Sequence, residues 1–200
     1  TQKPSSAASD VYKRQYNMKA IEEMNASSLF QHLLPVSSDQ LIEKLNNWKI
    51  KYKYFEHIPL MTVEESKSVQ DLFLSEEKGG VHIKNLFLRD DKKNYLLLVA
   101  HQDALINLKL FQININLGRL SFSSKDSLFK NLGVLPGAVT PFAMINGVKN
   151  NIPIYLDKNL LSYKYIYAHP LVNDRTLEIP VKELIRFFKK INVTPSWIEI

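Results

Sequence analysis

The chain has 200 residues, 45% of them hydrophobic and 23% charged, with a formal net charge of +6 and no cysteine. Those proportions describe a globular protein of one domain by length, with enough apolar side chain to build a core. They exclude a cysteine nucleophile, a disulfide framework and thiolate metal sites, and they suit a reducing cytoplasm. No run of about 18 apolar residues is present to span a bilayer.

In chain order, residues 1–15 look like a translated transposon-type sequencing-library adapter, reading Ser-Ser-Ala-Ala-Ser-Asp-Val-Tyr-Lys-Arg-Gln from Ser5. They also lack the apolar stretch of a signal peptide. Set aside as non-native, they leave 16–36 as a lead-in and 37–200 as a single domain. Without Lys3, Lys13, Arg14 and Asp10 the net charge falls from +6 to +4, a weak bias toward a polyanionic partner.

Ser37-x-x-Gln40 is a capping box, followed by Leu41, Ile42, Leu45 and Trp48 on one helical face. Tyr52–His57 alternates as a strand. Thr62-x-x-Glu65 is a second capping box, for a helix carrying Val69, Leu72 and Phe73 that stops at Gly79-Gly80. Val81–Leu88 and Tyr95–Ala100 form a hairpin across the polar stretch Arg89–Asn94. On the first of these strands His82, Lys84, Leu86 and Leu88 share one face, and Ile83, Asn85 and Phe87 the other. A lysine in mid-strand among large apolar residues either has a function or guards a sheet edge.

Asp103 is expected to cap a helix carrying Leu105, Leu108 and Phe111. Arg119–Phe122 reads as a short strand, and Ser124 opens a helix that ends at Gly133. Val139–Ile145 and Ile152–Asp157 read as strands flanking Asn146-Gly147, a strong hairpin signal. Lys164–Ala168, Asp174–Ile179 and the end of the chain near Trp197 are further strands, with a helix from Val181 to Lys190 started by Pro180. The sum is an α+β protein: a largely antiparallel mixed sheet, or partial barrel, surrounded by helices.

Between the helix ending at Gly133 and the next element lies Gly133-Val-Leu-Pro-Gly-Ala-Val-Thr-Pro141. Pro136-Gly137 is a turn signal, and Ala138, Val139 and Thr140 leave the backbone as the most polar group on offer. Such a loop either is an ordinary turn or aims several N–H groups at one point, as an oxyanion hole does. Other chemistries drop out. His32, His57, His82, His101 and His169 show no metal-ligand spacing, and neither phosphate-cradling glycine loops nor Gly-x-Ser-x-Gly occurs. Lys84, the 137–141 loop and His169 remain, and together they fit ester hydrolysis by water without a side-chain nucleophile.

Four ordered blocks carry a resemblance: Lys84-Asn-Leu-Phe-Leu-Arg-Asp90, Leu120-Ser-Phe122, Gly133–Phe142 and His169-Pro-Leu-Val-Asn-Asp-Arg-Thr176. They resemble the YbaK/ProX family of aminoacyl-tRNA deacylases, in its free-standing prolyl-tRNA editing branch, from about Ser37 to the C-terminus. The resemblance implies a cytoplasmic hydrolase that removes alanine from mischarged Ala-tRNA(Pro) without metal or other cofactor. It also implies the tRNA(Pro) acceptor end as partner, with prolyl-tRNA synthetase as a second. Backbone groups of Gly137, Ala138, Val139, Thr140 and Pro141 would hold the ester carbonyl, Lys84 the terminal phosphate or ribose, and His169 the pocket. Asn85, Asn146, Asn173, Thr176 and Arg89 would contact substrate. Asn146-Gly147 replaces a usual Asn-Asp, and Ala168 stands where an aromatic often precedes His-Pro; the second change bears on pocket size. Two alternatives stay open: another small aminoacyl group such as cysteine, and a non-catalytic module that binds tRNA or a synthetase.

Overall fold

The computed structural model describes residues 25–60, 65, 73 and 75–200. Eight strands form one open mixed sheet in the order β1-β7-β6-β2-β3-β5-β8, with β4 paired to β2. The strands are β1 Lys53–Glu56, β2 Gly80–Arg89, β3 Tyr95–His101, β4 Ser121–Phe122, β5 Ile154–Asp157, β6 Tyr165–Ala168, β7 Arg175–Pro180 and β8 Ser196–Ile198. The helices are α1 Ser38–Asn47, α2 Leu108–Asn114, α3 Lys125–Leu132, α4 Met144–Gly147 and α5 Val181–Lys190, with several 3-10 turns between them. The α+β architecture read from sequence is the one observed, with a sheet that does not close into a barrel.

Local chemistry explains most boundaries. Both halves of the Ser37/Gln40 capping box form at the start of α1, and Ser124 accepts from the Ser127 amide to start α3. Gly133 ends α3 at φ +65, a left-handed position, and a Cβ there would lie 2.5 Å from Asn146 Nδ2. The expected Thr62 helix falls outside the described residues, apart from Glu65 and Phe73.

Two expectations fail. The helix after Asp103 starts only at Leu108, because Asn107 is the cap: its Oδ1 accepts from the Lys109 and Leu110 amides. Val139–Ile145 is not a strand, and Asn146-Gly147 is not a hairpin turn. Thr140 is an N-cap, Pro141 is the first residue of a 3-10 turn, and helical backbone continues through α4 to Asn150. Asn146 and Asn150 donate to the Leu132 and Asn131 carbonyls at 3.1 and 2.9 Å, satisfying groups that the end of α3 leaves open.

One face of the sheet carries the main core. Val81, Ile166, Ala168, Leu177 and Ile179 pack there against Leu184, Phe187 and Phe188 of α5 and Leu41 and Leu45 of α1. Each of those two phenylalanines, fully buried, contributes roughly 1.5–3 kcal/mol. Leu86 and Leu88, on the opposite pleat of β2, pack with Leu96, Leu98 and Phe111 in a second cluster. The face alternation expected for β2 is therefore the one observed.

β2 is the pivot of the sheet. It pairs in parallel with β6 through residues 80–82, and antiparallel with β3 from Ile83 to Arg89. β4 joins its other flank only at Leu88 and Arg89. β6 stops at Ala168, just before His169-Pro170, where proline has no N–H for the ladder. A gap in the sheet results, on the flank of β2 from Ile83 onward. The Gln102 amide donates to His82 O, so even-numbered residues of β2 bond toward β3. The backbone groups of Ile83 and Asn85 face the gap.

Candidate functional site

A cleft of about 50 Å³ occupies this gap, and Asn85, His169 and Thr176 line it. These three were singled out from two separate sequence blocks. His82, Gln102, Phe73, Tyr167 and Ala168 complete much of the wall. Among the described residues, Asn85 Oδ1 is buried without a hydrogen-bond partner. A buried amide oxygen in that state is costly unless a ligand donates to it.

The histidines in and beside the cleft are held by hydrogen bonds or ring stacking. His169 Nδ1 lies 2.8 Å from the Arg175 carbonyl, so that nitrogen carries the proton and Nε2 keeps its lone pair. Burial pushes the His169 pKa below its ordinary value, against the opposing pull of the carbonyl. His82 is held down to about 4, chiefly by burial, and its ring stacks on Tyr167 at 4.7 Å. His57 Nδ1 faces the Ile58 carbonyl at 2.7 Å, and its Nε2 accepts from the Thr176 hydroxyl at 2.8 Å. Thr176 Oγ1 thus presents its own lone pairs to a ligand. Among the described residues, no carboxylate lines the cleft.

Lys84 shares its strand face with His82, which pairs in register with Tyr167. Its ammonium donates to the Ala104 carbonyl, in the turn after β3, and it is not part of the cleft wall. β2 lies inside the strand order, yet at Lys84 one of its flanks faces the gap left by β6.

The Gly137–Pro141 loop lies outside the cleft wall too. Leu135-Pro-Gly-Ala138 closes a turn through the Ala138 amide to Leu135 O at 3.0 Å, with Gly137 at φ +90. The Ala138 N–H is therefore engaged within the fold, and Pro141 has none. Among the described residues the amides of Gly137, Val139 and Thr140 donate to no protein acceptor. Thr140 Oγ1 faces the Phe142 amide at 3.4 Å.

Asn146 is buried on the Leu132 carbonyl, as described. Asn173 ties three segments together: its amide reaches Ala26 O, its Nδ2 reaches Leu60 O, and its own carbonyl takes the Leu60 amide. Arg89 stands at the far end of β2, in register with Tyr95 and Ser121. His57, His82 and Gln102 were not singled out from sequence. His82 alone carried a signal, its place beside Lys84; His57 meets Thr176 across 119 residues.

Away from the cleft, ligand atoms of Glu76, His101 and Asp103 gather within 4.8 Å of one another. His101 Nδ1 accepts from the Asp103 amide, which leaves Nε2 protonated and donating to Glu76 at 2.9 Å. A cation at Nε2 would have to displace that proton while the Asp103 amide still occupies Nδ1.

Comparison with known proteins places this geometry. The sequence matches the family described as aminoacyl-tRNA editing domain over residues 59–187. It is 36% identical over 161 residues to the prolyl-tRNA editing protein ProX of Acetoanaerobium sticklandii, covering 80% of this chain and 95% of that one. It is 34% identical over 162 residues to prolyl-tRNA synthetase associated domain-containing protein 1 of Xenopus laevis, covering 78% and 92% respectively. A crystal structure of a candidate trans-editing enzyme for prolyl tRNA synthetase shares the fold, with a TM-score of 0.61 at 19% identity; it covers 81% of this chain and 95% of that one. With the family matched over most of its length and a ProX relative spanned almost end to end, the chain belongs to the aminoacyl-tRNA editing domain family, a family of aminoacyl-tRNA deacylases.

Proposed function

We propose that this protein edits in trans, hydrolysing the ester that joins alanine to the terminal adenosine of mischarged tRNA(Pro). One observation carries the reading: Asn85, His169 and Thr176, drawn from two distant blocks, meet in a single cleft. Water oxygen attacks the ester carbonyl, the bond to the ribose oxygen breaks, and the proton from water ends on that oxygen. Alanine and deacylated tRNA leave.

The cleft suits a reaction without a protein carboxylate. His169 Nε2 and Thr176 Oγ1 offer lone pairs to ribose hydroxyls or to water, and Asn85 Oδ1 accepts from the substrate's ammonium or a hydroxyl. The neighbouring ribose hydroxyl helps activate water, so no general base from the protein is required. The ester carbonyl lies between the cleft and the Gly137–Pro141 loop, whose Gly137, Val139 and Thr140 amides hold its oxygen as charge develops on it. Lys84 exchanges the Ala104 carbonyl for the terminal phosphate or ribose. Asn146 and Asn173 hold the surrounding segments in place, and Arg89 meets an acceptor-stem phosphate.

Selectivity for alanine follows from size. A synthetase pocket built for proline discriminates against the smaller side chain by only about 1–3 kcal/mol. A second pocket that admits alanine and clashes with the proline ring supplies the remainder. Ala168, Leu60 and Phe73 line the apolar part of this cleft.

The test presents purified protein with Ala-, Cys- and Pro-tRNA(Pro) side by side, with Lys84→Ala and Gly137→Ala variants in parallel. Alanine is released fastest and proline is retained, and each variant loses roughly 10²-fold or more in rate. Faster release of cysteine assigns a different substrate. Tight, salt-sensitive tRNA binding with no hydrolysis of any of the three makes the protein a binding module.

A further inference from the structure

The sheet face that carries the editing cleft does not end there. Tyr167 is in register with His82 on β2 and with Glu178 on β7; Tyr165, two residues earlier, shares its face. At 3.3 Å per residue, about 7 Å separates the two tyrosines along the strand. Tyr165 lines a second, larger open cleft of about 650 Å³, with Tyr163, Lys51, Lys164 and Lys182 around it. All three lysines are exposed, and among the described residues none is in an ion pair.

The charge there is one-sided. Among the described residues the only carboxylate in the wall is Glu183, which is buried, takes the Lys51 amide at 3.2 Å and is neutralised by Arg186 at 2.6 Å. At the rim, Glu76 accepts from the Tyr163 hydroxyl at 3.3 Å. Between the clefts, Glu178 is matched by Lys53 at 3.0 Å and by the Tyr167 hydroxyl. The lysines also stand on anchored backbone. The stem of Lys164 lies across Gly79, where a Cβ would sit 3.1 Å from it, and its amide and carbonyl bond to Gly79 O and the Val181 amide. Lys182 is in the first turn of α5.

We infer that this lysine cleft holds the phosphodiester backbone of the tRNA's acceptor strand just upstream of the terminal adenosine, with Tyr163 and Tyr165 as stacking surfaces for its bases. The inference rests on the editing function proposed above. Three unpaired cations beside two aromatic rings match a single strand, which offers regularly spaced phosphates and flat bases. The shared strand β6 sets the distance to the ester.

The probe is unacylated tRNA(Pro), with its binding measured across salt concentrations from about 50 to 200 mM. Lys51→Gln, Lys164→Gln and Lys182→Gln combined lower the slope of log K against log salt by about 2 and weaken binding about 10-fold or more. The corresponding triple Arg variant keeps the wild-type slope, which separates lost charge from lost fold. Lys125→Gln with Lys130→Gln, on α3, also keeps it, which separates this site from net charge. A wild-type slope in the triple Gln protein overturns the inference, as does an equal loss in the α3 control. Capture of an acidic protein lost while tRNA binding stays intact overturns it as well. Unacylated tRNA carries no ester, so failure of the hydrolysis panel leaves this measurement readable, and the converse holds.

Discussion

Burial keeps the His82 imidazole neutral down to about pH 4, and the same cause lowers the pKa of His169. As the pH falls below the ordinary histidine value of about 6.5, the unfolded chain takes up these protons first. The contribution of the two rings is therefore complete above that value and is lost between it and their folded pKa values. Stability should fall toward pH 4 with a slope of up to about 1.4 kcal/mol per pH unit from His82, and His169 adds to it. Denaturant titrations at pH 7, 6 and 5 would show this. His82→Phe, which retains a ring against Tyr167, should flatten the slope; an unchanged pH profile would mean that His82 is not the group being titrated. Lys84 shows a different limit of residue-level reading. Its position and face were legible from the alternation of β2, but not its bond to Ala104, a carbonyl in a turn beyond the next strand.

At the scale of elements, the segment from Thr140 to Asn150 is the instructive case. Asn-Gly between apolar runs signals a hairpin, yet Thr140-Pro141 signals an N-cap followed by the first residue of a helix. The cap prevails because the helical path brings Asn146 and Asn150 onto the open carbonyls at the end of α3. Those bonds join positions 14 and 19 residues apart, so the signal lay in the cap pair and not in the dipeptide. Asn146→Ala would strand the Leu132 carbonyl in a buried site and open a void against Gly133. The expected loss is about 1–3 kcal/mol, read as a shift in denaturation midpoint with the slope unchanged. A loss below a few tenths would mean that water reaches that carbonyl. The caps of α1 and α3 were read correctly because their partners lie three residues away.

For the molecule as a whole, residues 25–36 of the lead-in are part of the packed structure. Ala26 packs with Leu135 and Ala138, and Phe30 and Leu34 lie against them. Ser28 bonds to the Asp174 carboxylate at 2.7–3.0 Å through both amide and hydroxyl, and Asn173 donates its amide to Ala26. This segment thus clamps the 135–138 turn to the His169–Thr176 block. Removing all residues before Ser37 should cost on the order of 3 kcal/mol, a drop of roughly 6–12 °C in Tm. A melt identical to that of the full chain would make the segment a passenger. The amino-acid order by itself determined the strands of the middle, the caps of α1 and α3, the Pro136-Gly137 turn and the faces of β2. Hydrophobic period, capping and φ preference act within a few residues, and so they can be read locally. Only the tertiary structure decided that Asn85, His169 and Thr176 share one cleft, with His57 bonded to Thr176, and that residues 137–141 are not part of its wall. The cleft exists because β6 leaves β2 after three paired residues, and such pairing between distant strands depends on how the whole core packs.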